Sequence, residues 1–461
     1  MGEMNRQTQI SARHSAMAGQ FFPGEAASLA RAVEACLEGA LPAASPPRAV
    51  ISPHAGYPFS GRLAGAALGA TQAAAPQRIV VLSPSHRHGF NGVALPSQDR
   101  YALPGFEAEI DTAARAALVN SGLAHVEDAA HDREHGIETQ LPFLHRLHPN
   151  ARIVPLVIGR ARPGQVAAIV DALAGLFDLP PLFVLSSDLS HFLTLEQARV
   201  HDAETARLIE TGKPDALTGA HACGAAAIHG FMSSAYGQGM RVQRLGQANS
   251  ADVTGDAART VGYGAWAFFA NTDKAFLQGD RAGLLETARG ALHARLEEGA
   301  VPPLSADGLP TAWQTHGASF VTLTKNDRLR GCLGTLEAHR PLVADVADNA
   351  VKSALQDPRF PPVSARELPD LSIKLALLSS AAPLRCADEA ELLAQLIPGR
   401  DGLILSDKGR RGVFLPMVWD SLPEPPAFLA ALRQKAGLPA GHWSDTLQVE
   451  RFCAEGFSER D

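Results

Sequence analysis

The segment 78–89, RIVVLSPSHRHG, restricts the fold more than any other part of the sequence. Five of its first seven residues are apolar and several are β-branched, without the polar alternation of a half-exposed strand, so we expect a strand buried on both faces. Such a strand belongs in a parallel sheet covered by helices. Ser83, Pro84 and Ser85 end the strand, and His86 stands just past its carboxyl end. Because open α/β sheets bind ligands at that edge, we expect the chemistry of this chain there.

The same pattern occurs at two more strands and at one predicted helix start. AVISPHAGY carries His54 past a short strand, and LFVLSSDLSH carries Asp188 and His191 past another. ACGAAAIHG places Cys223 beside Gly224 where a helix is expected to begin. The carboxyl ends of parallel strands share one edge of a sheet, so we expect these side chains to converge although they are far apart in sequence.

His54, His86 and Cys223 are the candidate metal ligands. Imidazole and thiolate suit a borderline metal such as Fe(II), Cu or Zn, and three protein ligands leave positions open for a substrate. The alternative interpretation is structural, because a histidine at a strand end commonly binds the backbone and a single cysteine commonly fills core space.

Asp188 and His191 are candidate catalytic residues, Asp188 as a ligand or orienting carboxylate and His191 as the general acid or base. They stand three residues apart just past a strand, and the ordinary pKa of histidine suits acid–base work near neutral pH. In the alternative interpretation, Asp188 caps a turn and His191 faces solvent. Glu134 and His135 lie in the polar segment EHGIETQ, where we expect a catalytic carboxylate and a substrate-binding side chain; a solvated loop explains that segment equally well.

Charge and composition argue against several classes of protein. The 461 residues carry a net charge of −7 and show no basic stripe, so we expect no binding to nucleic acid. No apolar run is long enough for a membrane span and the first residues lack the apolar centre of a signal peptide, so we expect a cytoplasmic protein. The five cysteines are scattered and form no CxxC pair, which argues against a disulfide framework.

A polar segment, NTDKAFLQGD, divides the chain. We place one domain at 1–270, a linker at 271–279 and a second domain at 280–461. The first is expected to be an α/β domain with a mostly parallel sheet flanked by helices. The second mixes strand pairs and helices in a less regular order, so we expect a smaller α+β domain.

The first domain resembles the Memo family. The resemblance rests on AGQFFPG, ISPHAGYPFSG, VLSPSHRHG, EHGIETQLPFL, VPLVIG, SSDLSHF and ACGAAAIHG, in this order. The Memo family is similar in fold to class III extradiol dioxygenases. The resemblance implies that His54, His86 and Cys223 bind the metal, and that Asp188 and His191 share their pocket, with His191 as acid or base. In the related dioxygenases a carboxylate stands where this chain has cysteine, which changes the donor strength at the metal.

The second domain resembles the AMMECR family, through GASFVTLTKNDRLRGCLGTLEAHRPL, DPRFPPV, LSIKLALLS, GRDGLIL and RRGVFLP. In the motif LRGCLG, glycines flank Cys332 and permit a tight backbone or a close ligand. Cys332 is therefore a candidate catalytic thiol, and Arg330 a candidate to lower its pKa or to bind an anionic substrate group. Alternatively, the glycines let a bulged strand pack and Cys332 fills a small hole.

Together these observations predict a metal-dependent oxidoreductase. We expect a non-haem dioxygenase-like enzyme that uses Fe(II), with Cu or Zn as alternatives, on a small aromatic or phenolic substrate. The combination of families resembles bacterial systems that include a radical SAM protein; this chain has no CxxxCxxC motif, so that partner would be a separate protein. A metal-binding regulatory module without turnover and a zinc-type hydrolase are the alternative interpretations.

Overall fold

The structure is a computed structural model that describes residues 11–40, 42–270, 273, 275–276, 278–302 and 309–460. The chain divides into two compact units. The first runs to Phe269, except that Glu210–Gly212 and Gly239–Val242 group with the second, which continues from Ala270. The expected linker at 271–279 lies partly outside the described residues, at 271, 272, 274 and 277.

The first unit contains the following elements. Its strands are β1 (Ala12–His14), β2 (Ala49–Ser52), β3 (Arg78–Pro84), β4 (Val93–Leu95), β5 (Arg100–Leu103), β6 (Phe106–Glu109), β7 (His125–Val126), β8 (Arg152–Ile158), β9 (Leu182–Ser186), β10 (His191–Leu193), β11 (Arg241–Asn249) and β12 (Thr260–Phe269). Its helices are α1 (Ala26–Leu37), α2 (Tyr57–Gly69), α3 (Thr112–Asn120), α4 (Asp128–His131), α5 (His135–Glu138), α6 (Leu141–Leu147), α7 (Pro163–Gly175), α8 (Leu195–Glu210), α9 (Ala225–Ser233) and α10 (Ala251–Thr254).

Four parallel strands form the centre of the main sheet. Their order is β2, β9, β3, β8, and each neighbouring pair is parallel. Antiparallel strands extend this centre on both sides, because β12 pairs with β2 and β4 pairs with β8. Helix α2 contacts β2 and β12, helix α9 contacts β3 and β9, and the middle of β3 is buried. The α/β class expected from the apolar strands is confirmed, and the antiparallel flanks are a feature that the sequence pattern did not indicate.

The parallel centre determines where the loops of the site begin. Strand β2 ends at Ser52, β3 at Pro84 and β9 at Ser186. The register pairs Ser52 with Ser186, so these two strands end at the same level. The loops that follow therefore leave the sheet side by side at its carboxyl edge.

A small sheet in the order β1, β5, β6 fixes the N-terminal arm. Arg13 in β1 is buried, pairs with Glu138 at 2.6 Å and donates to the carbonyl oxygen of His131 at 2.8 Å. Ser15 donates another hydrogen bond to Glu138. Buried charges are tolerated when they are paired and hydrogen-bonded in this way. The arm is thus held on a fixed path toward Phe21.

The second unit contains a different set of elements. Its strands are β13 (Ala318–Lys325), β14 (Arg328–Gly334), β15 (Leu371–Leu378), β16 (Ala382–Pro383), β17 (Gly402–Asp407), β18 (Arg410–Phe414), β19 (Gln448–Phe452) and β20 (Ala454–Ser458). Its helices are α11 (Gln278–His293), α12 (Thr311–Gln314), α13 (Leu342–Leu355), α14 (Glu389–Gln395) and α15 (Pro425–Lys435). Among the described helices of both units, none has the length and apolar character that a membrane span requires.

Two four-stranded sheets organise the second unit, in the orders β14, β13, β15, β20 and β16, β19, β17, β18. The described pairings in both sheets are antiparallel, which confirms the expected α+β class. Helix α13 lies against β13 and β14. A Cβ atom at Gly331 would lie 2.0 Å from the carbonyl oxygen of Ser353 in that helix, so the close approach requires glycine.

Candidate metal centre

Two histidines and one cysteine converge beyond the ends of the parallel strands. His54 stands two residues after β2, His86 two residues after β3, and Cys223 two residues before α9. One ligand atom from each lies within 4.8 Å of the other two. His54 is buried, whereas the His86 side chain is 23% exposed. The structure thus brings together the three residues considered as ligands, with His86 nearest to solvent.

Hydrogen bonds fix the His54 imidazole in one tautomer. The Ser186 hydroxyl donates to the carbonyl oxygen of Gly136 at 2.6 Å, so its oxygen is free to accept. His54 Nδ1 lies 2.8 Å from that oxygen and therefore carries the proton. The lone pair of His54 is left on Nε2, which faces the Cys223 sulfur at 3.2 Å.

The Glu134 carboxylate fixes His86 in the same way. One oxygen accepts from His86 Nδ1 at 2.7 Å and from the backbone N–H of Gly136 at 2.9 Å, and the other accepts from the backbone N–H of His86 at 2.8 Å. Burial acts to raise the pKa of Glu134, but the hydrogen bonds from His86 and from the Gly136 N–H outweigh it and hold the pKa at about 2. Glu134 is therefore a carboxylate at neutral pH. His86 is left with a bare Nε2, the arrangement in which a carboxylate orients a metal-binding imidazole.

Cys223 supplies a thiol beside the His54 imidazole. The backbone N–H of Asp188 donates to the sulfur at 3.2 Å, and the Cys223 N–H donates to the Asp188 carbonyl oxygen at 3.2 Å. Burial, followed by the Asp188 charge, raises the thiol pKa to about 12, and burial lowers the pKa of His54 to about 3. Without a cation, both groups are neutral. A metal ion would supply the positive charge that favours the thiolate, so the donor set of two imidazoles and one thiol fits a borderline metal.

Asp188 holds two of these three side chains in place. Its buried carboxylate accepts the backbone N–H of His54 at 2.8 Å, and its backbone holds Cys223 through the two bonds given above. Burial raises the pKa of Asp188 to about 6, so the carboxylate is mostly ionised at neutral pH. These contacts describe a positioning residue for His54 and Cys223.

His191 presents a basic nitrogen close to this group. Its Nδ1 lies 2.9 Å from the carbonyl oxygen of Leu189, which accepts the Nδ1 proton and leaves Nε2 bare. The side chain is exposed, and a positive charge on it would act to lower the pKa of His54. The next residue, Phe192, has a φ of +64° and is 63% exposed, with the guanidinium of Arg259 at 4.3 Å from its ring centroid. Such a φ is strained for an aromatic residue.

His135 adds a third imidazole to the wall of the centre. Its ring centroid lies 4.2 Å from that of His86, 5.1 Å from that of His54 and 4.5 Å from that of Phe21, on which it stacks. Its Nδ1 is buried without a hydrogen-bond partner and lies 3.6 Å from Glu134. Burial, His54 and His86 lower the pKa of His135 to about 3, so the ring is neutral. It offers a flat face and one unused nitrogen beside the ligands.

Cys332 and Arg330 lie in the second unit, on strand β14. The Cys332 sulfur accepts a hydrogen bond from the Thr322 hydroxyl at 3.3 Å, and its backbone N–H donates to Asp357 at 2.8 Å. The Arg330 guanidinium donates to both oxygens of Glu367, at 3.1 and 3.2 Å. Arg330 is thus engaged by a carboxylate of its own unit.

Two residues that the sequence did not single out complete the centre. Ser186, which sets the His54 tautomer, is visible in the sequence only as the first polar residue after an apolar strand. Phe21, which stacks on His135, is visible only as one of two aromatic residues between glycines. The signal in both cases is position within a family motif, SSDLSHF for Ser186 and AGQFFPG for Phe21, and the contact itself depends on tertiary structure.

An α/β domain with a cluster of two imidazoles and one thiol at its carboxyl edge defines a candidate metal-binding domain. The family model described as Memo-like protein matches residues 13–267, and that described as AMMECR1 matches residues 285–457. The chain belongs to the Memo-like family and carries an AMMECR1 domain after the Memo-like one.

The chain is similar to the following proteins. A MEMO1 family protein of Aeropyrum pernix is 32% identical over 277 residues, which cover 54% of this chain and 97% of the relative. A protein of Methanothermobacter thermautotrophicus is 35% identical over 185 residues, covering 39% of this chain and 90% of the relative. The crystal structure of an uncharacterised protein from Pyrococcus horikoshii is 33% identical with a TM-score of 0.36, covering 38% of this chain and 90% of that one.

Proposed function

We propose that the Memo-like domain is a metal-dependent oxidoreductase of the non-haem, extradiol dioxygenase-like kind, which uses Fe(II) and acts on a small aromatic or phenolic molecule. One observation carries the proposal. One ligand atom each of His54, His86 and Cys223 lies within 4.8 Å of the other two, while separate hydrogen bonds donated to Ser186 and Glu134 fix both imidazole tautomers. Orienting partners of this kind are characteristic of metal-binding histidines.

His54, His86 and Cys223 would hold the metal, and Cu or Zn are the alternatives that the same donors accept. Bound Fe(II) would supply positions for a substrate oxygen and for O₂. The Fe(II) preference rests on the resemblance to the dioxygenases, since a thiol in place of their carboxylate also suits zinc. Metal identity is therefore the first quantity to measure.

His191 is the residue that moves a proton. With Nδ1–H held by the Leu189 carbonyl oxygen, Nε2 accepts the proton of a substrate hydroxyl, and the imidazolium can return it later. Asp188 keeps the His54 loop in place throughout. The stacked rings of His135 and Phe21 cover one side of the ligand group and exclude water from that side.

The AMMECR1 domain and a partner protein complete the proposal. We propose that the chain works with a separate radical SAM protein, as the combination of families suggests, and that Cys332 serves the chemistry of the second domain. Co-purification of a tagged form of this chain with an iron–sulfur protein would support the partner. A Cys332→Ala variant with unchanged activity in the reconstituted pair would remove the role of the thiol.

Metal analysis after anaerobic purification, followed by O₂ uptake with a panel of catechols, tests the centre. Replacing His54, His86 or Cys223 singly by alanine should remove most of the metal without unfolding the protein. His125→Ala is the matched control for metal content, because His125 pairs with the half-exposed Glu127 and is not among the clustered ligand residues. Full metal occupancy in all three ligand variants would refute the site.

His191→Ala separates binding from turnover. We expect the variant to keep its metal and to lose turnover by about a hundredfold to ten-thousandfold, the usual contribution of a general acid or base. Loss of metal together with activity would make His191 a ligand instead. Tight metal binding by the wild type without O₂ uptake on any catechol would favour the regulatory module, and hydrolytic activity with zinc would favour the hydrolase.

A further inference from the structure

A cavity of about 320 Å³ adjoins the ligand group on the side of Cys223. We call it the Cys223 cavity; its wall includes Cys223, the Ser85 and His88 loop, Phe90, Ile158, Arg160 and the first turn of α9. The loop that forms this wall is the loop that carries His86. A molecule in the cavity would therefore lie next to the metal ligands. The volume is at the lower end of the range for small-molecule sites, which suits a single-ring compound.

The walls of the cavity are mostly apolar. Phe90, Ile158, Ala226 and Ala227 line it, and the Phe90 ring is held nearly parallel to the His88 ring, with centroids 5.9 Å apart. Aromatic and aliphatic walls of this kind favour the body of an apolar or aromatic ligand over a fully polar one.

The charge on the cavity wall has one sign. Among the described residues that line it, the ionisable side chains other than the thiol are Arg160 and His88, and there is no carboxylate. His88 lies 3.3 Å from Glu127, outside the cavity, whereas the Arg160 guanidinium has no hydrogen bond or ion pair within the described part of the chain. An unpaired guanidinium beside an apolar space is suited to bind a carboxylate through paired hydrogen bonds.

We propose that the Cys223 cavity is the substrate site and that Arg160 binds an anionic group on the substrate, so that the substrate is an aromatic acid with a phenolic hydroxyl. The inference rests on the proposed function and narrows its substrate class. The ring lies between Phe90 and Ala226, the hydroxyl points toward the ligand group, and the carboxylate reaches Arg160. Arg160 thereby becomes a specificity residue that separates acids from neutral phenols.

Two probes test the charge preference: 3,4-dihydroxybenzoate, which is an acid, and catechol, which is neutral. Their dissociation constants are measured by calorimetry on the full-length protein, anaerobically, with metal content determined on the same samples. The wild type should bind the acid at least about tenfold more tightly than catechol. Arg160→Gln should raise the dissociation constant of the acid by about tenfold to a hundredfold and change that of catechol by no more than about twofold. Arg162→Gln, an exposed arginine outside the cavity wall, is the matched control and should change neither.

A second variant tests the location independently of charge. Ala226→Phe fills the cavity from the first turn of α9, so it should abolish binding of both probes while the protein keeps its fold and its metal. Equal binding of acid and neutral probe by the wild type, unchanged acid binding in Arg160→Gln, or no binding of either probe would each overturn the inference. Absence of metal from the wild type would overturn the proposed function instead, so the two failures are distinguishable.

Discussion

Replacing Glu134 by glutamine tests whether hydrogen bonding controls the metal centre. Both Glu134 oxygens accept hydrogen bonds: one from His86 Nδ1 and the Gly136 N–H, the other from the His86 N–H. Glutamine must place its NH₂ group at one of these positions, so a donor opposes a donor whichever way the amide is oriented. One orientation drives the His86 proton from Nδ1 to Nε2 and removes the lone pair that would bind the metal.

The expected loss can be worked from these contacts. Outer partners of metal-binding histidines are worth about tenfold to a hundredfold in metal affinity, which corresponds to about 1.4 to 2.8 kcal/mol. Leaving one buried N–H unpaired costs a similar amount, about 1 to 3 kcal/mol, in the free energy of unfolding. We therefore expect Glu134→Gln to fold and to melt at a lower temperature. It should bind Fe(II) and Zn(II) about tenfold to a hundredfold more weakly than the wild type.

Competition with a chromophoric chelator measures the affinity, and ¹⁵N resonances of the histidine side chains report the His86 tautomer. Glu127→Gln is the matched control, since Glu127 also pairs with histidines, His88 at 3.3 Å and His125 at 3.7 Å, but is 35% exposed. It should leave metal affinity unchanged. If Glu134→Gln binds metal as tightly as the control and its His86 keeps the proton on Nδ1, the assignment of Glu134 as the orienting carboxylate is wrong.

Three further predictions concern stability, each measured by urea unfolding. Burial lowers the pKa of His131 from 6.5 to about 4, so between these pH values the unfolded chain binds a proton that the folded chain does not. The free energy of unfolding should therefore fall by about 3 kcal/mol as the pH is lowered from 6.5 to 4, and His131→Gln should lack this pH-dependent loss. Phe192→Gly should raise stability by about 1 kcal/mol, because glycine accepts a positive φ without strain; a loss of stability would show that the exposed ring contributes packing. Gly331→Ala should lower the free energy of unfolding by about 3 kcal/mol, because the added Cβ atom clashes with the carbonyl oxygen of Ser353. Gly441→Ala should leave it nearly unchanged, because a Cβ atom there meets open space.

The class of each domain followed from local patterns in the sequence. Apolar, β-branched runs that end in serine, proline and histidine predicted parallel strands with polar carboxyl ends, and β2, β3 and β9 have that form. The motifs of both halves gave the Memo-like and AMMECR1 families, which the family models match. Both kinds of information are local, because burial on both faces and a short motif can be seen within about ten residues.

The partners of each side chain were decided by tertiary structure alone. His54 is oriented by Ser186 because β2 and β9 are neighbours in the sheet, and alternation of apolar residues does not encode which strands become neighbours. The sequence predicts that Arg330 can hold an anion, whereas in the structure its guanidinium donates to Glu367. Gly331 of LRGCLG is required because α13 approaches β14 closely, and the motif itself does not predict the position of that helix. Composition and period specify the elements and their buried faces, whereas hydrogen-bond partners and imidazole tautomers depend on contacts between residues distant in the chain.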